Sequence, residues 1–200
     1  IRALAEAVDA KDTYTRGHSE RVGVYASKLA REMNFPKEFI ERVYIAGLLH
    51  DVGKIGVPDR IITKPERLTE EEYDEMKKHP EIGAKILEPV EFLADVVPCV
   101  LHHHEWYDGS DKGYPCGLAG DRIPLPSRVI LVADTVEAMT SDRPYRKALP
   151  LEVVLRELHK YSGSQFDPVC VRAILQLLER EGERFLRKDQ KFDIYEFIEG

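Results

Sequence analysis

His50 and Asp51 stand side by side at the end of the apolar run Ile45-Ala46-Gly47-Leu48-Leu49. An ionised carboxylate at a buried helix end is costly unless it is paired or bound to a cation. The doublet alone is equally a surface or helix-cap feature, and what surrounds it decides its meaning. His18, His79, His103, His104 and Asp134 are further nitrogen and oxygen donors that fit around it. Of the 7 histidines in the chain, only His102 and His159 fall outside this group, which favours a metal pair bridged by Asp51. His159, in the helical run 155–160, reads as an exposed or helix-end residue.

The elements that must carry these donors are helical. Ile1, Leu4, Ala5 and Val8 mark one amphipathic face, and Val22, Tyr25, Ala26, Leu29 and Met33 mark another at spacings of three, four and seven. Pro36 suits the first turn of a helix that runs into His50. Thr69-Glu70-Glu71-Glu72 has the form of a capping box, and Pro80 starts a helix with His79 at its N-terminal edge. Segment 128–140 is apolar enough for a buried strand, but its unbroken length favours a buried helix. Asp167-Pro168 opens a helix over 169–181 that Gly182 closes. The expected fold class is all-α, with one long loop over about 106–125 beside a metal cleft; irregular stretches of that length are often functional. The tail 183–200 reads either as a last short packed helix or as a mobile extension of a domain spanning 1–182.

Composition narrows the function classes. With 43% hydrophobic and 32% charged residues the chain is globular. No apolar run approaches the ~20 residues of a membrane span and no signal peptide opens the chain, so no membrane contact is expected. Cys99, Cys116 and Cys170 lack metal-type spacing and read as free thiols of a reducing compartment, the cytoplasm. A net charge of −7 argues against a nucleic-acid polymer as partner. A small anion remains compatible, because two cations reverse the field inside one cleft. The chain starts at Ile1 inside a helical pattern, and it is expected to be part of a longer protein with an upstream regulatory domain.

From His103 the chain reads His-His-Glu-Trp-Tyr-Asp-Gly-Ser-Asp-Lys-Gly113-Tyr114-Pro115. Together with segments 11–22, 48–59, 79–87 and 132–146, in that order, it resembles the HD-GYP family, bacterial phosphodiesterases of cyclic di-GMP within the HD-domain superfamily. The likeness covers nearly all of 1 to about 180, and Gly113-Tyr114-Pro115 is its specific part. It implies an HD-domain helical bundle with seven ligands to two divalent metals, His18, His50, Asp51, His79, His103, His104 and Asp134. Asp51 would bridge, His18, His50 and Asp134 would hold one ion, and His79, His103 and His104 the other. His102 then reads as supporting or structural. Family precedent puts iron or manganese first; a nitrogen and oxygen set without thiolate also admits zinc or nickel.

The same resemblance gives Asp51 and Lys54 catalytic roles, and gives substrate contacts to Lys54, Tyr114, Arg143 and Arg146. Spacing alone divides Lys54 evenly between a surface lysine and a phosphate contact; the family motif favours the contact. Arg143 and Arg146 could fork onto a phosphate, the alternative being a solvated pair near a helix end. Gly113 is expected to let the backbone turn, and Trp106 to anchor the loop. Three departures are visible. The stretch 109–113 is about two residues longer than usual, Glu137 stands where many members have Asp, and Tyr14 replaces the Glu of members with a third metal. The leading reading is hydrolysis of cyclic di-GMP to pGpG, with pGpG or GMP as the end product, and a diguanylate cyclase or sensor domain as partner. The alternatives are an HD phosphohydrolase of another nucleotide, and a non-catalytic cyclic di-GMP-binding or docking module.

Overall fold

The apolar spacings produce helices through most of the described residues. The computed structural model describes residues 1–11, 17–142, 146–186 and 192–199. In chain order the helices are α1 (Arg2–Lys11), α2 (His18–Glu32), α3 (Lys37–Leu49), α4 (Asp59–Ile62), α5 (Glu70–Met76), α6 (His79–Leu87), α7 (Val97–Leu101), α8 (Leu125–Thr140), α9 (Leu151–Tyr161), α10 (Pro168–Glu181) and α11 (Ile194–Glu199). No β-strand occurs among the described residues, and no helix there is long and apolar enough to cross a membrane.

The core lies where α2, α3, α8 and α10 meet. Val22, Ala26 and Leu29 of α2, Val43 and Leu49 of α3, Val129, Ile130, Val132, Ala133 and Val136 of α8, and Ile174 of α10 are fully buried. Burying each large aliphatic side chain stabilises by about 1.5–3 kcal/mol. α8 is buried nearly all round, which explains why its sequence lacks a polar face and could be mistaken for a strand. Helix ends follow local chemistry. Thr69 and Glu72 form the reciprocal capping box of α5, and the Asp167 carboxylate accepts the Val169 N–H of α10 at 2.7 Å. Pro36 caps α3 from outside, at φ −68° and ψ 162°, instead of occupying its first turn.

Two connections position the site. After Asp51 the chain makes a tight 3-10 turn, Val52–Gly56, against the start of α6. A Cβ on Gly53 would stand 1.8 Å from the His79 carbonyl oxygen, so only glycine permits this approach. The long loop between α7 and α8 is pinned to the α9–α10 connection, where Gln165 and Ser164 carbonyls accept the Tyr107 and Asp108 amides at 3.1 and 2.9 Å. The described part of the tail packs, with Phe185 and Ile194 buried and Phe192 beside Tyr44, ring centroids 5.7 Å apart.

Candidate metal centre

Five segments deliver the seven donors to one place. His18 is the first residue of α2, and His50 and Asp51 follow the end of α3. His79 is the first residue of α6, His103 and His104 follow α7, and Asp134 lies within α8. Asp51 sits at the middle, 5% exposed. Its Oδ1 is 3.4 Å from His79 Nε2, and its Oδ2 is 3.7 and 3.5 Å from the Nε2 atoms of His18 and His50. His18 Nε2 also lies 3.4 Å from Asp134 Oδ1. Donor atoms of His79, His103 and His104 fall within 4.8 Å of one another, as do those of His18, His50 and Asp134. All seven are thus brought together, grouped about Asp51 as two triads.

The protonation pattern follows from the partners. His50, His79 and His103 each direct Nδ1 at a backbone carbonyl, of Gly47, Met76 and Val100, at 2.7, 2.8 and 2.6 Å. A carbonyl only accepts, so each Nδ1 carries the hydrogen and each Nε2 presents a lone pair. Two such lone pairs, on His79 and His103, face each other at 3.3 Å with the Asp51 carboxylate beside them. Buried acceptors converging in this way fit a cation between them, and ring orientation by a second partner is the usual support for imidazole ligands.

The electrostatics agree. Burial pushes His79 down to about 4, with Lys54 and His50 adding to the effect against Asp51. Burial also holds His103 and His104 well below the usual histidine range. All three imidazoles are therefore neutral and able to ligate at pH 7. Burial alone would raise Asp51, yet Lys54, His50, His79 and His18 together keep its carboxyl well below the ordinary carboxylate range. His18 differs. Burial disfavours its charged form, but the hydrogen bond and charge of Glu137 raise its pKa overall.

Two buried glutamates organise the surroundings. Glu137, fully buried, accepts from His18 Nδ1 at 2.6 Å, from Arg21 Nε at 2.8 Å and from the Ser141 hydroxyl at 2.6 Å. Burial pushes this carboxyl up, but those donors hold it far below its ordinary value. The sequence marks Glu137 only as standing where many members have Asp, and it gives no role to Arg21, whose position three residues after His18 on the same helix is the available signal. Glu105 was also missed. Its carboxylate accepts the Cys116 and Leu118 amides at 2.7 and 3.1 Å and so clamps the loop.

The expected substrate contacts are placed as follows. Lys54 Nζ donates to Asp51 Oδ2 at 2.6 Å. The Tyr114 ring stacks on His104, with centroids 4.7 Å apart and planes at 27°. Gly113 lies in a bend where its amide donates to the Ser110 carbonyl at 3.1 Å, and it also serves close approach: a Cβ there would lie 2.3 Å from the Trp106 amide nitrogen. Arg146 donates to the Met139 and Ala138 carbonyls at 3.2 and 2.6 Å, closing the end of α8. It also lines a groove of about 540 Å³ that starts at His104 and Asp134 and runs between α8 and α9. Arg143 and Tyr14 lie outside the described residues. Trp106 packs edge-on to Tyr161, centroids 6.4 Å apart, as a loop anchor.

The family model described as HD domain matches residues 2–170. The chain belongs to the HD-domain family. This HD domain is 41% identical over 187 residues, 92% of the chain and 50% of the relative, to a "Cyclic di-GMP phosphodiesterase" of Thermotoga maritima. It is 37% identical over 180 residues, 89% of the chain and 38% of the relative, to the "3'3'-cGAMP-specific phosphodiesterase 3" of Vibrio cholerae. The chain thus spans half or less of the length of these curated relatives. Among solved structures, the HD domain superposes on a cyclic GMP-AMP-specific phosphodiesterase of V. cholerae with a TM-score of 0.71 at 20% identity, covering 100% of the chain and 52% of the other. That likeness bears out the all-α HD-domain architecture, and the relatives bear out the HD-GYP resemblance.

Proposed function

We propose that the chain is a metal-dependent phosphodiesterase that opens cyclic di-GMP to linear pGpG; the same chemistry on the second diester gives GMP. The observation that carries this reading is the pair of imidazole and carboxylate donor triads, His79, His103 and His104 on one side of Asp51 and His18, His50 and Asp134 on the other. His18, His50 and Asp134 would hold one divalent ion and His79, His103 and His104 the other, with Asp51 between them. Iron and manganese lead; zinc and nickel suit the same ligands. When bound, two such ions neutralise the phosphate and activate water for in-line attack.

The chain's own residues supply the rest. Lys54 is 2.6 Å from Asp51 and places an ammonium beside the phosphate position, where it stabilises the anion and can protonate the leaving oxygen. Burial keeps the Tyr114 phenol protonated, first through desolvation and then through the nearby Tyr73, so it acts as a donor at the cleft wall. Arg146, from the groove edge, adds positive charge while its fork closes α8.

A second reading, hydrolysis of another cyclic dinucleotide, is favoured by the relative named for 3'3'-cGAMP. An upstream sensor domain or a diguanylate cyclase is the proposed partner, and the cytoplasm the proposed compartment. The test is turnover of both dinucleotides by anaerobically loaded protein, wild-type and Asp51→Ala. Loss of turnover and of bound metal in a folded Asp51→Ala supports the assignment. Full activity with both ions retained refutes it, and tight binding without turnover by the wild-type protein would favour a non-catalytic sensor.

A further inference from the structure

At the root of the loop that carries Tyr114, His102, Glu105 and Cys116 bring a nitrogen, a carboxylate oxygen and a sulfur within 4.8 Å of one another. We propose that these three residues form a separate, thiolate-containing site for a borderline-soft divalent cation such as zinc. It rests on this chain's own contacts and does not depend on the proposed dinuclear chemistry.

The scaffold is already fixed. Glu105 is 2% exposed, and the backbone amides of Cys116 and Leu118 hold its carboxylate in place. The first of those bonds ties Cys116 directly beside the carboxylate. His102 is joined to Glu105 by a turn, with the Glu105 amide donating to the His102 carbonyl at 3.2 Å. Its Nδ1 stands 3.4 Å from Glu105 Oε1. Tetrahedral ligation with bonds near 2.0–2.3 Å sets donor atoms about 3.3–3.8 Å apart. Side-chain rotation of roughly 1 Å therefore closes the triad, and Cys116 is exposed and free to make it. A carboxylate has about four lone-pair positions, so two amides leave capacity for a cation.

Charge favours a cation here. Partial burial, Glu105 and Glu81 all push the Cys116 thiol up, so a thiolate there gains most from a positive ion. Binding forms a metal–sulfur bond and releases the thiol proton to water. The exposed side of Cys116 leaves the fourth position to solvent. Ligand softness separates this site from the other, because the seven donors about Asp51 include no sulfur. Occupancy would tie the loop at three points next to Tyr114, whose ring rests on His104, so the cation would be felt at the cleft wall.

The test is an anaerobic cobalt(II) titration of metal-free protein, read by the thiolate-to-cobalt charge-transfer absorbance in the near ultraviolet. Cys99 and Cys170 are buried and the dinuclear donors lack sulfur, so the band reports this site alone. About one equivalent of thiolate-bound cobalt is expected, displaced by zinc. Cys116→Ser should abolish the band while cobalt still fills the dinuclear centre. His102→Ala should weaken the band's cobalt affinity by at least about tenfold. No thiolate band in the wild-type protein, or the same band in Cys116→Ser, overturns the proposal; unchanged affinity in His102→Ala removes the triad.

Discussion

Replacing Glu137 by Gln keeps the side chain's shape and deletes the charge on which three donors converge. One amide oxygen remains, and the new NH2 group must face either His18 Nδ1–H or the Arg21 guanidinium, donor against donor. Removing one member of a buried ion pair costs about 3–5 kcal/mol. The Arg21 side chain is 18% exposed and recovers some hydration, which puts the expected loss at the lower end. At roughly 2–4 °C per kcal/mol for a chain of this size, Tm should fall by about 6–12 °C. The ligand consequence is separate. His18 loses the acceptor that orients its ring, and loss of such a partner typically lowers metal affinity by about 10–100-fold. Calorimetry of the metal-free protein and an anaerobic manganese titration measure the two effects. Glu137→Asp keeps the charge but withdraws it by one methylene, so it should restore most of the Tm and less of the affinity. Unchanged Tm and metal affinity in the Glu137→Gln protein would refute the view that this carboxylate holds His18.

Acid should destabilise the metal-free domain. His79 titrates near 4 in the folded state, against 6.5 for an ordinary histidine, so between those values only the unfolded chain takes up the proton. Stability is therefore full above about 6.5 and falls toward 4. His103 and His104 act in the same direction and His18 in the opposite one. Urea midpoints at pH 7 and pH 5 check this, and a higher midpoint at pH 5 contradicts it. Gly53→Ala should lose metal from the His79 side and unfold at markedly lower temperature, because its Cβ would meet the His79 carbonyl at 1.8 Å and the Gly83 amide at 2.5 Å. Two ions bound at wild-type Tm would show that the turn can move aside.

Much of this architecture is legible in local pattern. The helices announce themselves through spacing, and the capping residues Thr69 and Asp167 act within four positions of themselves, so sequence suffices for them. The donors about Asp51 are legible as residue types in a known order, although nothing local says that five segments converge. What escapes is chemistry set by long contacts. Glu105 clamps amides 11 and 13 residues further on, and Arg21 meets a carboxylate 116 residues away. Arg146 reads as a phosphate contact from the family resemblance, and nothing local shows that its guanidinium also engages the carbonyls that end α8. Cys116 lacks metal-type spacing along the chain because the loop, not a motif, brings it to His102.

The last turn of any helix leaves carbonyls that no further residue of that helix can satisfy. Gly47 and Val100 lie in the last turns of α3 and α7, and Met76 is the final residue of α5. The imidazoles of His50, His103 and His79, each three residues on, take up those oxygens. Stopping the helix and aiming the ligand are thus one event, repeated three times. Extending α3, α5 or α7 by a single turn would give the carbonyl an amide partner of its own and release the ring. Helix length at these three points is therefore tied to the aim of the three rings, and insertions that lengthen those helices should be tolerated far less than insertions elsewhere in the bundle.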